Sequence, residues 1–93
     1  MTQPVQIKAG DAEVKGVYSN FMEIKHTKEE FCLDFLNIFP PIGAMTARII
    51  MSPGHFKRML RAMGDSLGKY ENGYGEVKEA EEPEKPNMGF AAK

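Results

Sequence analysis

Three side chains of the sequence could bind a metal ion or act as a nucleophile and its base, namely Cys32, His26 and His55. They stand singly, without the close CxxC or HxxxH spacing from which zinc sites with three or four ligands are usually built. Cys32 also lies within a run of alternating apolar residues, whereas reactive thiols need an accessible, electropositive surrounding. We therefore expect no metal, no cofactor and no enzymatic activity, and we expect Cys32 to be packed and unreactive.

A cluster of basic residues could bind an anion, because Lys57, Arg58 and Arg61 lie near the start of a predicted helix. The helix dipole and the free backbone N–H groups favour negative charge there. Glycine-rich phosphate loops, however, carry more glycine before the helix than Gly54 alone supplies. The net charge of -1 also gives no general attraction to nucleic acid or to an anionic membrane. A solvated helix face is the preferred interpretation, and nucleic-acid or phosphate binding is the weakest functional alternative.

The clearest structural element is a strand over residues 31–39, where apolar residues recur with a period of two on both faces. One predicted face carries Phe31, Leu33 and Phe35, and the other carries Cys32, Asp34 and Leu36. Pro40-Pro41 ends this strand, because proline cannot donate a ladder hydrogen bond. A second strand is predicted over 45–51, with Ala47, Ile49 and Met51 on one face and Thr46, Arg48 and Ile50 on the other.

Further strands are predicted upstream. Residues 13–25 space valine, tyrosine, phenylalanine and isoleucine as a strand would. Residues 26–30 have the length and polarity of a hairpin connection, and the alternation of Val5 with Ile7 suggests a short edge strand over 4–8. Since such short connections favour adjacent antiparallel strands, we expect a meander of three or four strands.

A long amphipathic helix is predicted over about 53–72. Ser52 is a favoured N-cap and Pro53 suits the first helical position. Asn72-Gly73 is a typical C-terminal stop. One stripe of the helix is apolar and consists of Phe56, Met59, Leu60, Met63, Leu67 and Tyr70. The predicted fold class is therefore α+β, an antiparallel three- or four-stranded meander with one C-terminal helix packed on one face.

The 93 residues divide into an N-terminal segment over 1–12, a single domain over 13–75 and an acidic tail over 76–93. The tail holds too little apolar surface to offset its ordering entropy, so we expect it to be disordered. No apolar run approaches the roughly 20 residues of a membrane span, and the N-terminus lacks a signal-peptide core. A single free cysteine fits a reducing compartment. We expect a soluble cytoplasmic protein without a membrane partner.

The face of the sheet that points away from the helix suggests an interface. A small monomer rarely exposes a contiguous apolar patch without a reason, and about 70 foldable residues is a size at which oligomerisation is common. Asp34 and Arg48 share this face and are expected to pair across neighbouring strands. The predicted interface of a homodimer, or of a tetramer built from dimers, consists of Phe21, Cys32, Asp34, Leu36, Arg48 and Ile50. The alternative is a monomer with scattered surface hydrophobes.

Three segments, VYSNFMEIKHTKEEFCLDF, RIIMSPGHFKRML and LGKYENGYGEV, carry a resemblance to a known family. Over about residues 14–77 the chain resembles a small prokaryotic family, domain of unknown function 3467. The resemblance implies no established activity, cofactor or catalytic residue.

The predicted layout, an antiparallel meander followed by proline and a long helix, is also similar to that of the SecB-type export chaperones. Those are larger oligomers that bind unfolded chains on apolar surface, and the similarity is one of architecture alone. The first functional hypothesis is a non-enzymatic interaction or structural protein that acts as a homo-oligomer and can contact another protein. The alternative is a chaperone-like binder of apolar segments that uses methionines as an adaptable surface.

Overall fold

The computed structural model describes residues 3–81. These form a short helix α1 (Asp11–Lys15), three strands β1 (Phe21–His26), β2 (Phe31–Phe39) and β3 (Ile42–Met51), and a long helix α2 (Pro53–Tyr74). The strands make one antiparallel sheet in the order β1-β2-β3. The predicted α+β class, with a three-stranded meander followed by one C-terminal helix, is confirmed.

Short connections join the strands. Between β1 and β2, the Thr27 side chain accepts hydrogen bonds from the backbone N–H groups of Glu29 and Glu30, at 3.1 and 3.2 Å. Between β2 and β3, Pro40 and Pro41 alone make the turn, so β3 begins at Ile42, earlier than predicted. These tight turns hold the three strands in one continuous meander.

The ladder between β2 and β3 contains one irregularity. The pairing shifts between Phe35 and Leu36, which face Ala47 and Met45. The extra residue on β3 is Thr46, whose hydroxyl donates to the backbone oxygen of Phe35 at 3.1 Å. This arrangement is a β-bulge, which bends the strand that carries the additional residue.

The N-terminal part of the chain differs from the prediction. Within the strand expected over 13–25, residues 13–15 belong to α1 and residues 16–20 form no helix or strand. The start of α1 is capped by a hydrogen bond from the Gly10 N–H to Glu13 Oε1 at 2.7 Å. Gly16 ends this helix with φ +77°, a left-handed conformation that glycine adopts at little cost. The short edge strand over 4–8 is also wrong, because residues 3–10 form no helix or strand.

The register defines the two faces of the sheet, since residues paired across an antiparallel ladder point the same way. The Asp34 face carries Phe21, Glu23, Lys25, Cys32, Asp34, Leu36, Ile38, Gly43, Met45, Arg48 and Ile50. The Leu33 face carries Met22, Ile24, His26, Phe31, Leu33, Phe35, Asn37, Phe39, Ile42, Ala44, Ala47, Ile49 and Met51. The predicted division of β2 and the C-terminal half of β3 between the two faces is confirmed.

The buried core lies mainly on the Asp34 face. Phe21, Leu36 and Ile38 form a cluster there, with exposures of 8, 3 and 6%. Asp34 on the same face is fully buried, and Leu33 is the buried residue of the opposite face, at 2%. The face that was expected to be the outer one is therefore the better buried of the two.

Helix α2 does not lie along the sheet as expected. Phe56 in its first turn stacks on Phe31 of the Leu33 face, with ring centroids 4.1 Å apart, and Phe56 and Met59 are half-buried. Beyond Met59 the stripe stays open: the exposures of Leu60, Met63, Leu67 and Tyr70 are 54, 58, 49 and 52%. A single residue, Ser52, joins β3 to α2, which is shorter than most connections between such elements. Beyond Met59, the helix therefore leaves its own sheet uncovered.

Both ends of α2 are capped. The Ser52 hydroxyl accepts from the His55 N–H at 3.2 Å, which confirms the predicted N-cap. The helix ends at Gly75, with φ +101°, whose N–H donates to the Glu71 carbonyl at 2.8 Å. This end lies beyond the predicted stop at 72–73. Residues 75–81 form no helix or strand, and the rest of the predicted acidic tail, 82–93, lies outside the described residues.

The position of the core predicts a difference between two substitutions. Leu36→Ala should lower the free energy of unfolding by about 2–5 kcal/mol, because it leaves a cavity in a buried cluster. Ile42→Ala on the same sheet should change it by less than about 0.5 kcal/mol, since Ile42 is 72% exposed. Urea unfolding followed by circular dichroism measures both. Equal effects of the two substitutions would contradict a core on the Asp34 face.

Candidate functional site

The Asp34 carboxylate connects all three strands. Arg48 of β3 donates to it twice, from Nε to Oδ1 at 2.6 Å and from Nη2 to Oδ2 at 2.9 Å. Lys25 of β1 places Nζ 3.2 Å from Oδ2. The Asp34 side chain is fully buried, whereas those of Lys25 and Arg48 are 53 and 47% exposed. The predicted pairing of Asp34 with Arg48 is confirmed; the contribution of Lys25 was not predicted.

The ion pair keeps Asp34 ionised. Hydrogen bonding to Arg48 lowers the pKa of Asp34 well below its usual range, against the effect of burial, and Lys25 lowers it further. The same interaction raises the pKa of Arg48 above its usual value. A general acid or base works best with a pKa near the working pH. The pKa of Asp34 is far from neutral, so this cluster fits a structural role.

The charges around Asp34 balance. Glu23 is the residue of β1 directly opposite Asp34 in the register, and two like charges facing each other across a ladder are destabilising. Lys25 and Arg48 offset these two carboxylates with two positive charges. The Cys32 thiol lies beside the cluster, with Sγ 3.6 Å from Asp34 Oδ1. The Asp34 face is thus apolar at one end and charged, though neutral in sum, at the other.

The six residues of the predicted interface share the Asp34 face but differ in accessibility. Phe21, Asp34 and Leu36 are buried within the single chain, and Cys32 is half-buried. Arg48 and Ile50 are exposed, the latter by 55%. Only part of the predicted set therefore offers surface to a partner, and its role in an interface stays a prediction.

A larger open apolar surface lies elsewhere. On the Leu33 face, Met22, Ile24 and Ile49 are 41, 44 and 45% exposed, and no residue of this face is an acid, a lysine or an arginine. The open part of the α2 stripe continues it. Sequence periodicity correctly identified the Leu33 face and the α2 stripe as apolar. It also predicted that the two pack against each other within one chain, which beyond Met59 they do not. Periodicity shows which face is apolar and carries no information on what covers it.

The basic residues Lys57, Arg58 and Arg61 line a shallow depression with Gly54 at the start of α2. All three are exposed, and Arg58 Nη2 lies 2.8 Å from Nδ1 of His55. The structure brings these residues together on one helix face, as predicted from their spacing. Anion binding by them stays a prediction.

The three candidate metal or nucleophile side chains have different neighbours. His26 packs against Phe31, with ring centroids 5.3 Å apart, and His55 contacts Arg58. Within residues 3–81 no group of three or more histidine, cysteine, aspartate or glutamate side chains is placed to hold a metal ion. In the same part of the chain, no helix is long and apolar enough to cross a membrane.

A three-stranded antiparallel sheet with a buried ion pair across its strands and a projecting C-terminal helix defines a small α+β domain. A family model described as "Protein of unknown function (DUF3467)" matches residues 1–79, and the chain belongs to this family. The resemblance carried by the three sequence segments is thereby confirmed. No curated protein and no solved structure matches the chain.

The Asp34 cluster predicts a specific pH dependence of stability. Because the pKa of Asp34 is lower in the folded chain than in the unfolded chain, its stabilisation is complete above the unfolded value of about 3.9. It diminishes as the pH falls through the lower, folded pKa. Asp34→Asn removes this contribution and keeps the side-chain shape. The variant should be less stable than the parent at neutral pH, and the difference should shrink progressively below about pH 4.

Urea unfolding of the parent and of Asp34→Asn across this pH range measures the difference. Asp65→Asn on the exposed side of α2 serves as the control, and its difference from the parent should stay small at every pH. A stability gap between parent and Asp34→Asn that is independent of pH would show that Asp34 is not stabilised as an anion.

Proposed function

We propose that the protein is a non-enzymatic interaction or structural protein that acts as a homo-oligomer. The observation that carries this proposal is the open apolar stripe of α2, in which Leu60, Met63 and Leu67 are each about half exposed. The Leu33 face, into which the stripe leads through the Phe31–Phe56 stack, extends the surface available to a partner. An apolar surface of this extent on a small chain is typical of a protein–protein contact.

The energetic gain from association is large for a chain of this size. Burying a few hundred Å² of apolar surface per subunit contributes several kcal/mol, at about 25 cal/mol per Å². Lost translational and rotational freedom offsets part of that gain. The gain before this subtraction is comparable with the stability of a small domain, about 5 kcal/mol. Folding and oligomerisation are therefore expected to be coupled.

A chaperone-like role is the second candidate, and the exposure of two methionines favours it. Met22 on the Leu33 face and Met63 in the α2 stripe are 41 and 58% exposed. The flexible thioether adapts to differently shaped apolar partners. Such a protein would bind exposed apolar segments of other chains with the surface that otherwise joins its own copies.

As compartment we propose the cytoplasm. The support is the free thiol of Cys32, which persists where the environment is reducing.

The proposed homo-oligomer predicts opposite outcomes for two charge substitutions on α2. Leu67→Glu places a carboxylate in the apolar stripe and should dissociate the oligomer, lowering the mass measured by light scattering to that of one chain. Lys69→Glu changes an exposed charge on the other side of the helix and should leave the mass unchanged. A parent protein that is monomeric at tens of micromolar would contradict the proposal.

The chaperone-like alternative is tested with a client protein that aggregates on dilution from denaturant. A binder of apolar segments should suppress the light scattering of the client at equimolar amounts, and Leu67→Glu should abolish the suppression. A dedicated homo-oligomer should keep its fixed stoichiometry and leave the aggregation of the client unchanged.

A further inference from the structure

Resting on the proposed homo-oligomer, we propose that two copies exchange helices: α2 of each copy lies on the Leu33 face of the other. The two surfaces concerned are the open part of the α2 stripe and the open apolar residues of the Leu33 face. Every copy carries both surfaces. In a twofold dimer, the α2 stripe of each copy therefore covers the Leu33 face of the other, and both surfaces are removed from water.

The local geometry favours exchange over packing within one chain. Only Ser52 separates β3 from α2, and the Phe31–Phe56 stack fixes the direction in which the helix leaves the sheet. The stripe beyond Met59 stays about half exposed in the single chain. A second copy of the chain presents an apolar sheet face, its Leu33 face, that can cover this stripe.

The dimensions of the two surfaces agree. The part of α2 beyond Met59, residues 60–74, is about 22 Å long at 1.5 Å per residue. Strand β1 is six residues long and spans about 20 Å at 3.3 Å per residue. The part of α2 beyond Met59 therefore matches the length of β1, which carries Met22 and Ile24 of the open surface.

The charge distribution selects the Leu33 face over the Asp34 face. The Asp34 face carries Glu23, Lys25 and Arg48 around the buried carboxylate, and covering these groups with an apolar stripe would remove them from water. The Leu33 face carries no acid, lysine or arginine. An apolar helix can cover it with little loss of polar hydration.

Cross-linking between differently substituted chains tests the exchange. All variants carry Cys32→Ser, so that the introduced thiols are the only ones. A tagged chain with Ile24→Cys on the Leu33 face is co-expressed with an untagged chain with Met63→Cys in the stripe, and the pair is treated with a short bis-maleimide linker. We expect a covalent dimer of the two different chains. Replacing Met63→Cys by Asp65→Cys, on the opposite side of the helix, should abolish it.

The outcomes separate this inference from the proposed function. A dimer in light scattering that yields no link between Ile24→Cys and Met63→Cys overturns helix exchange and leaves the homo-oligomer standing. A monomer in light scattering overturns both. A single chain that carries both substitutions and cross-links within itself, keeping the mass of one chain in denaturing gels, shows that α2 covers its own sheet and also overturns exchange.

Discussion

The buried carboxylate of Asp34 is the constraint on which the arrangement of the sheet depends. It lies on the central strand and is bonded by Arg48 from one neighbour and Lys25 from the other. A shift of either ladder by one residue would turn the basic partner to the opposite face. The carboxylate would then be buried without a partner, which is costly. The ion pair thus specifies the register, and with it the side of the sheet on which every apolar residue lies.

Much of this sheet could be predicted from the sequence, because the relevant signals are local. The alternation in residues 31–39 identified β2 with its observed bounds, and the positions of Asp34 and Arg48 in their strands implied their pairing. Ser52-Pro53 marked the start of α2 correctly. The prediction of a strand over 13–25 was wrong in its first half. It relied on Val14 and Val17, which fit a strand pattern. The competing signals, the cap by Glu13 and the stop at Gly16, favour a short helix.

The position of the core could not be predicted in the same way. Periodicity places Phe21, Leu36 and Ile50 on one face and Leu33, Ile49 and Met51 on the other, and the structure has them so. How much of the Leu33 face is covered depends on the direction in which α2 leaves the sheet, and this depends on the single-residue connection and one aromatic stack. That information is geometric. The sequence therefore predicted too little exposed surface on α2 and too much at Phe21 and Leu36.

The bulge at Thr46 has a consequence for the free edge of β3. An edge strand of ten residues with regular, unpaired N–H and C=O groups is a template on which strands of other molecules can add and aggregate. β3 has the apolar composition of such a template, and its one charged side chain, Arg48, is engaged with Asp34. The extra residue interrupts the row of donors and acceptors and bends the strand. A foreign strand thus meets two short stretches in place of one long edge, which gives this small sheet intrinsic protection against uncontrolled growth.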